Sequence, residues 1–285
     1  MSVYNIEGVE LRSVYNKNGN DLSICYNKDG AVIFRKQLKV MTYNVGGWYI
    51  GSGRNVPEAQ KDIYYALQTG MIEDADPDIL VIQEYLAQFS DDGTSALTML
   101  QGLFPYVHAE VSGTYFGRAI CSKYPITDYV KRQFTQEPSR YFDSCTVTVM
   151  ETPITVVNTH LGLTQENRDP EIVQLITYLN TLDRFVCGGD FNTGITPTSA
   201  NTSSTEYINN VKPFVDDGFN TANFGDFGFL LTCVDRTNGT HYYLDNIYTS
   251  ANIEVIDAYV DDTKLTDLVD DPIDHMPLIA TLQIN

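Results

Sequence analysis

Positive charge is the scarcest feature of this sequence, and long apolar runs are missing. Lys and Arg total 18 against 37 Asp and Glu, so the 285 residues carry a net charge of -19. Tight nucleic-acid binders usually show a basic patch or stripe, and this excess of acidic residues excludes such a surface. A nuclease that binds its substrate through metal ions is still open. No apolar run reaches the roughly 18 residues of a membrane span, and the first ten residues lack a secretion signal. We therefore expect a protein with no transmembrane segment, and we leave its location open between the cytoplasm and an unknown compartment.

Cysteine is also scarce. The five cysteines are odd in number, none belongs to a CxxC pair, and four lie in or beside apolar, strand-like runs. This pattern predicts small, buried, reduced side chains in a reducing compartment. The residues are Cys25, Cys121, Cys145, Cys187 and Cys233.

The first 36 residues contain an internal repeat. Three units with a period of 11 begin at Val3, Val14 and Cys25, and each contains Tyr-Asn, then a glycine and an aliphatic residue. An Asn-x-x-Gly turn between short strands accounts for each unit. Because three such units cannot bury a face alone, we predict a β-repeat arm over residues 1–36. It serves either self-association or packing against the main domain. The arm carries a net charge of +1, and residues 37–285 carry -20.

From Leu38 onward, strand-like and helix-like patterns alternate, and 43% hydrophobic residues suffice for a large core. Residues 193–206 are rich in Ser, Thr and Asn without periodicity, which predicts a long loop. Strands are predicted over 39–44, 78–84, 117–122, 144–150, 153–160, 184–190, 242–249, 252–260 and 276–283, and helices over 57–71 and 169–180.

Polar side chains of similar type stand at the ends of these strands. A single Asn, Asp or His in such a place is usually a turn former or a structural residue. Six positions that combine carboxylates and imidazoles indicate a site, because sites in α/β sheets gather at strand ends. The positions are Asn44, Glu84, His160, Asp190 with Asn192, Asp245, and Asp274 with His275.

Seven short motifs extend this pattern into a family resemblance. They are Thr42-Tyr43-Asn44, Gln83-Glu84, Gly117-x-Ala119-x-x-Ser122-Lys123-Tyr124-Pro125-Ile126, Asn158-Thr159-His160, Gly189-Asp190-Phe191-Asn192, Leu244-Asp245-x-Ile247 and Asp274-His275-x-Pro277-Leu278. In type and order they resemble the endonuclease/exonuclease/phosphatase superfamily, which includes deoxyribonuclease I, AP endonucleases, neutral sphingomyelinases and inositol polyphosphate 5-phosphatases.

The resemblance spans residues 39–279 and implies an α+β fold. We expect a four-layer αββα sandwich of two packed mixed β-sheets with outer helices, and a domain over residues 37–285. The resemblance also implies a divalent metal, usually Mg²⁺ and alternatively Mn²⁺, and hydrolysis of a phosphoester. The first 36 residues lie outside it.

The expected roles follow from the chemistry of an anionic phosphoester. Its site must neutralise charge and position a water in line. Mg²⁺ prefers oxygen ligands and is usually held by one or two carboxylates, so Glu84 is the first candidate ligand, with Asn44 and Asp274 helping directly or through water.

The resemblance assigns the remaining positions to the reaction itself. It places Asp190 near the attacking water as base or orienter, and Asn192 against the water or a phosphate oxygen. It places His275, oriented by Asp245, on the phosphate or the water. It implies that His160 contacts the phosphate or protonates the leaving group.

Three arginines stand out in a chain with so few cations. Arg118 occupies a position where the family often has Asn in contact with the phosphate. It is expected either to hold a phosphate in a bidentate manner or to point outward on an edge strand. For Arg140 and Arg168 we expect solvated salt bridges.

The substrate is left open among phosphoesters. A DNase-type nuclease is the first expectation, although few cations disfavour tight binding of long nucleic acid. A sphingomyelinase-like or inositol-phosphate activity is the alternative, and a non-catalytic binding module on the β-repeat arm is the alternative of another class. Phe224, Phe227 and Phe229 form either a membrane-facing hairpin or core structure, and Trp48 either stacks on substrate or closes the core edge.

Overall fold

The computed structural model describes residues 14–15, 21–22, 24–26, 32–35, 37–49, 58–87, 95–110, 117–136, 139–149, 151–235, 239–262 and 273–285. In the N-terminal segment, Val14–Tyr15 (β1) pairs antiparallel with Asp21–Leu22 (β2), and Ile24–Tyr26 (β3) with Val32–Arg35 (β4). The second and third repeats thus each hold strands of an antiparallel pair. The first repeat lies outside the described residues.

The main domain contains thirteen further described strands, five described helices and a 3-10 turn at Gly46–Tyr49. The strands are Gln37–Asn44 (β5), Ile79–Tyr85 (β6), Tyr106–Glu110 (β7), Gly117–Ser122 (β8), Ile126–Gln133 (β9), Tyr141–Val149 (β10), Thr152–His160 (β11), Phe185–Ile195 (β12), Asn220–Thr221 (β13), Cys233–Asp235 (β14), Thr240–Thr249 (β15), Ile253–Val260 (β16) and Leu278–Ile284 (β17). The helices are Glu58–Ala75 (α1), Ala96–Leu103 (α2), Gln165–Leu179 (α3), Thr205–Asn210 (α4) and Lys212–Asp216 (α5).

These strands form two mixed sheets. The first has the order β16-β17-β5-β6-β8-β7, and the second has the order β13-β15-β12-β11-β10-β9, with β14 paired to β15. Among the described strands, β5 with β6 and β11 with β12 are the pairs that run parallel. Because two parallel pairs end at the same edge of the domain, the side chains at their carboxyl ends can converge.

The inner faces of the sheets pack directly on each other. Val40 and Val81 of the first sheet share one buried cluster with Val156 and Val186 of the second. At Gly188 the approach is so close that a Cβ atom would lie 2.6 Å from the Val81 Cγ2 atom. A side chain at this position would therefore push the sheets apart.

Helices cover both outer faces. Met71 of α1 and Leu100 of α2 pack in the cluster on the outer face of the first sheet. Leu175 of α3 and Phe214 of α5 pack in the cluster on the outer face of the second. The hydroxyl of Thr164 caps α3 by accepting from a backbone N–H in its first turn. The four-layer αββα sandwich is confirmed.

The structure corrects some element boundaries. Residues 193–206 are not one long loop, since β12 continues to Ile195 and α4 begins at Thr205. The sequence patterns also missed β7, β9 and α2. Strand β9 lies at the edge of its sheet and has no buried residue, so it lacks the apolar alternation that marks a half-buried strand. Among the described helices, none has the length and apolarity needed to cross a bilayer.

A buried polar network ties the two sheets together near the edge where the parallel strands end. Asn158 on β11 donates from Nδ2 to the carbonyl oxygens of Ile82 (2.9 Å) and Ala119 (3.1 Å). It accepts from the Gln83 Nε2 atom at 2.8 Å. Thr42 completes the network by hydrogen bonding to Gln83. Since buried amides are stable only when their hydrogen bonds are satisfied, this network fixes β6 against β11.

The burial of the cysteines and of Trp48 bears on two predictions made from the sequence. Four cysteines are free and buried, and burial raises the pKa of the thiols at Cys121, Cys145 and Cys187. The side chain of Cys25 lies outside the described part of the chain. Trp48 is fully buried and donates from Nε1 to the Leu86 carbonyl oxygen, so it closes the core and does not stack on a substrate.

Candidate active site

The strand ends converge as the chain order suggested. Asn44 ends β5, Glu84 lies near the end of β6, and His160 ends β11 directly opposite Asp190 on β12. The antiparallel strand β15 places Asp245 opposite Asp190 from the other side. The remaining predicted group, His275, stands just before β17 and is bridged to Cys233 of β14. Parallel and antiparallel neighbours thus deliver polar groups to one edge.

Asp190 is the centre of this cluster. Its carboxylate accepts from Asn44 Nδ2 at 3.0 Å and from the backbone N–H of Asn192 at 2.9 Å. The same oxygen that faces Asn44 lies 3.5 Å from His160 Nε2 and 3.6 Å from His275 Nε2. Burial by itself would raise the pKa of Asp190, but the positively charged His275 and these hydrogen bonds lower it below the ordinary value. The side chain is therefore a carboxylate with a fixed orientation.

His275 is held by Asp245. The Nδ1 atom of His275 lies 3.0 Å from Asp245 Oδ2, and both side chains are buried. Burial lowers the pKa of His275, but the neighbouring Asp245 carboxylate outweighs burial, and the pKa lies well above its ordinary value. Since Nδ1 faces Asp245, Nε2 is directed toward Asp190. This is a carboxylate–imidazole pair of the predicted kind.

His160 has the opposite electrostatic character. Its pKa is lowered to about 3, mainly by burial, with further lowering by the guanidinium groups of Arg140 and Arg118. The imidazole is therefore neutral at neutral pH. A neutral imidazole next to Asp190 can donate one hydrogen bond and carries no charge of its own.

Two of the three predicted metal ligands, Asn44 and Glu84, are joined by a hydrogen bond next to Asp190. Glu84 adopts a left-handed backbone conformation (φ 52°) at a register shift between β6 and β8. Burial is the largest influence on its pKa, which is raised, and the Asp190 and Asp274 carboxylates add to that. Asn44 donates from Nδ2 to Glu84 Oε1 at 3.2 Å, and its own oxygen accepts from Gly46. In this arrangement Asn44 orients carboxylates.

The donor chemistry fits a divalent cation. Among the described residues, ligand atoms of Asp190, Asp245 and His275 lie within 4.8 Å of one another. The Oδ1 atom of Asp245 is buried and has no hydrogen-bond partner there. Uncompensated buried carboxylates are costly, and a cation with oxygen ligands relieves that cost. This group of three side chains differs from the predicted ligand set of Glu84, Asn44 and Asp274, of which Asn44 and Glu84 share a hydrogen bond.

Asn192 is oriented by its backbone and by a carbonyl. It has a positive φ of 48°, and its Nδ2 atom donates to the Leu161 carbonyl oxygen at 2.9 Å. Asparagine is one of the few residues that tolerate this conformation. The strand end therefore holds Asn192 beside Asp190 and next to the chain that follows His160.

The arginines differ from expectation. Arg118 does not point outward, because β8 lies between β6 and β7 and the side chain is buried. Its guanidinium stacks on the Tyr141 ring at 3.8 Å and lies 3.8 Å from Asp143. Arg140 is half-buried, and its Nη1 atom donates to the carbonyl oxygens of His160 and Leu161 at 3.3 and 2.8 Å.

Arg168 was expected in a solvated salt bridge. Its side chain is instead buried and donates hydrogen bonds to backbone carbonyl groups. Its Nη1 donates to the carbonyl oxygens of Gly162 (3.1 Å) and Leu163 (2.7 Å) in the segment after His160. Its Nε donates to Asn210 Oδ1 at 3.1 Å, and Asn210 donates to the Thr193 carbonyl oxygen at 2.9 Å.

Through this chain of bonds, the segment that follows His160 is fixed relative to the end of β12. Glu171 completes these contacts by accepting from the Gly162 N–H at 2.6 Å. Sequence reasoning missed Glu171 and Asn210, since both lie on helix faces without a local motif.

Comparisons with known proteins agree with this fold. The sequence profile of the Endonuclease/Exonuclease/phosphatase family matches residues 41–267. No curated protein matches the chain in sequence.

Solved structures with the same fold include an endonuclease/exonuclease/phosphatase from Bacteroides vulgatus (17% identity, 88% of this chain and 100% of that chain, TM-score 0.65). A truncated Caenorhabditis elegans TDP2 is also similar (16% identity, 87% and 98%, TM-score 0.62). So is the 3' phosphatase NExo from Neisseria bound to a product DNA hairpin (20% identity, 85% and 98%, TM-score 0.60). The profile match covers most of the chain, so this protein belongs to the endonuclease/exonuclease/phosphatase family.

Proposed function

We propose that this protein is a phosphoesterase that depends on a divalent metal, Mg²⁺ or Mn²⁺, and hydrolyses its substrate by in-line attack of an activated water. The observation that carries the proposal is the environment of Asp190. A carboxylate held by two amide donors lies between a neutral and a positively charged imidazole. Because its pKa is lowered, this carboxylate is better suited to orient a water than to deprotonate it.

The proposed roles fall into two groups, metal binding and substrate binding. Glu84 and Asp274 would hold the cation, with Asn44 orienting the Glu84 carboxylate. A bound cation supplies charge neutralisation and lowers the pKa of a coordinated water. His160 and Asn192 would contact the phosphate, and Arg118 adds positive charge near His160.

His275 and His160 would act differently because their charges differ. His275, kept positive by Asp245, would stabilise negative charge that develops on the phosphate. His160, kept neutral, would donate a hydrogen bond to a phosphate or leaving-group oxygen, which makes it a weak candidate for a charged general acid.

A DNase-type nuclease remains the first substrate proposal. NExo, a 3' phosphatase bound to a DNA hairpin, supports a nucleic-acid phosphoester by fold similarity. The acidic domain disfavours tight binding of long polyanions, so a terminal or short substrate fits better. A sphingomyelinase-like activity fits less well, because Phe224 is buried and Phe229 packs edge-on against it. An inositol-phosphate phosphatase stays an alternative.

The test is hydrolysis of a panel of phosphoesters by the full chain with Mg²⁺ or Mn²⁺. The panel contains plasmid DNA, short single-stranded DNA with and without a 3'-phosphate, sphingomyelin and inositol phosphates. Asp190→Asn should lower the rate by about 10²–10⁴-fold, whereas Asp183→Asn, an exposed change of the same type, should not alter it. If no substrate is turned over with either metal, the non-catalytic binding module becomes the better account.

A further inference from the structure

One buried threonine is bonded to both chain segments that carry the carboxylate–imidazole pair. Thr232 directly precedes β14, and its side chain is fully buried. Its backbone N–H donates to the Tyr242 carbonyl oxygen on β15 at 3.2 Å, and its carbonyl oxygen accepts from the Met276 N–H at 2.8 Å. Since Met276 follows His275 directly, the backbone of Thr232 joins the strand of Asp245 to the segment of His275.

The hydroxyl of Thr232 serves as a hydrogen-bond acceptor where the pairing of β14 with β15 ends. That pairing ends at Cys233, which lies opposite Tyr242. Beyond this point, Thr232 Oγ1 accepts from the backbone N–H groups of Leu244 at 2.9 Å and Asp245 at 3.0 Å. Because a buried N–H group without an acceptor is costly, this hydroxyl holds the backbone of Asp245 at a defined position.

The same hydroxyl also acts on the carboxylate of Asp245. A threonine hydroxyl has two lone pairs and one proton, and the two backbone N–H groups occupy the lone pairs. Burial raises the pKa of Asp245, whereas His275 and the Thr232 hydroxyl lower it, so the hydroxyl lies within reach of the carboxylate. Asp245 Oδ2 in turn lies 3.0 Å from His275 Nδ1. Thr232 therefore contacts both the backbone and the side chain of the residue that orients His275.

We propose that Thr232 is a positioning residue, which holds Asp245 so that the His275 imidazole keeps its direction toward Asp190 and the phosphate. This inference rests on the proposed function, in which His275 stabilises negative charge that develops on the phosphate. Such stabilisation requires a donor that is already in place before the reaction. A rotation of the Asp245 carboxylate should therefore lower kcat more than it weakens substrate binding.

The experiment removes the hydroxyl and keeps the shape of the side chain. In the full chain with Mn²⁺, Thr232→Val should lower kcat for bis(p-nitrophenyl) phosphate by about tenfold, the effect of one hydrogen bond in the transition state. KM should stay within about twofold, because the lost interaction is made only in the transition state. Thr232→Ser keeps the hydroxyl and should retain most of the rate.

A matched control separates positioning from stability. Thr249 lies on the same strand as Asp245, about 13 Å further along, is fully buried, and donates from Oγ1 to the Ile253 carbonyl oxygen. Thr249→Val removes a buried hydroxyl away from the site and should leave kcat and KM unchanged. Thermal unfolding checks that each variant is folded. Thr232→Ala and Thr232→Ser differ only in the hydroxyl, and this pair carries the comparison if Thr232→Val does not fold.

A second measurement does not depend on turnover. The proton on His275 Nδ1 lies in the hydrogen bond to Asp245 and should give a downfield signal in the proton NMR spectrum, assigned by its loss in His275→Gln. We expect Thr232→Val to shift or broaden this signal, and we expect Thr232→Ser and Thr249→Val to keep it.

An unchanged His275 signal in Thr232→Val, or an unchanged kcat in an active enzyme, would overturn the positioning role. A loss of rate that Thr232→Ser does not restore would overturn it as well, because the hydroxyl would then not be the cause. If the unchanged protein hydrolyses nothing but its His275 signal depends on the Thr232 hydroxyl, the proposed function fails and the positioning of His275 stands. The two ideas therefore fail separately.

Discussion

Removal of the Asn158 side chain should weaken the whole sandwich. Asn158→Ala deletes three buried hydrogen bonds, two to carbonyl oxygens and one from Gln83. At about 1 kcal/mol for each bond, the free energy of unfolding should fall by about 3 kcal/mol. For a domain of this size that corresponds to a fall in Tm of roughly 6–10 °C. The same change releases Gln83, the neighbour of Glu84, so the affinity for Mn²⁺ should fall as well.

Urea unfolding followed by circular dichroism measures the effect, and thermal unfolding gives the change in Tm. Asn180→Ala is the control, because Asn180 is exposed and its side chain donates only to the exposed Asp217 carboxylate. It should cost less than about 0.5 kcal/mol. If Asn158→Ala costs no more than the control, the network does not hold the sheets together and the reasoning is wrong.

Three further outcomes are expected. Arg168→Ala should destabilise the fold by about 3 kcal/mol, because it removes buried hydrogen bonds to the Gly162 and Leu163 carbonyl oxygens and to Asn210, and urea unfolding measures this loss. Since burial lowers the pKa of His160, the neutral form stabilises the fold above the unfolded pKa of about 6.5, and that contribution is lost as pH falls. Between pH 6.5 and 4.5 the wild-type protein should lose up to about 3 kcal/mol of unfolding free energy through His160. The His160→Gln variant should not show this loss. Deletion of residues 1–36 should reduce the mass in solution if the arm mediates self-association, and an unchanged mass by light scattering would reject that role.

Many residues of the site could be predicted from the sequence, because their position at a strand end is marked by neighbouring residues in the chain. A polar residue after a buried strand marks the sheet edge, and Asn44, His160 and Asp190 lie there as strands β5, β11 and β12 end. The pairing of His275 with Asp245 also matched the expectation. The sequence could not predict whether the pKa of each of these groups is raised or lowered. Burial and neighbouring charges set that direction, and they come from strands far apart in the chain.

The arginines show why the other contacts of the site could not be predicted from the sequence. Arg168 bonds to Asn210, which lies 42 residues away, and Arg118 stacks on a ring from a different sheet. Sequence patterns report which side chains are polar, but not which of them packing will bury. The general rule that arginine stays solvated therefore failed for Arg118 and Arg168.

The most direct test of the central claim is the rate of hydrolysis of bis(p-nitrophenyl) phosphate by the purified full chain. The account predicts no release of p-nitrophenol with EDTA, restored release when Mg²⁺ or Mn²⁺ is added in excess, and loss of that release in Asp190→Asn. Release that is unaffected by EDTA, or that survives Asp190→Asn at the full rate, would contradict a metal-dependent site centred on Asp190.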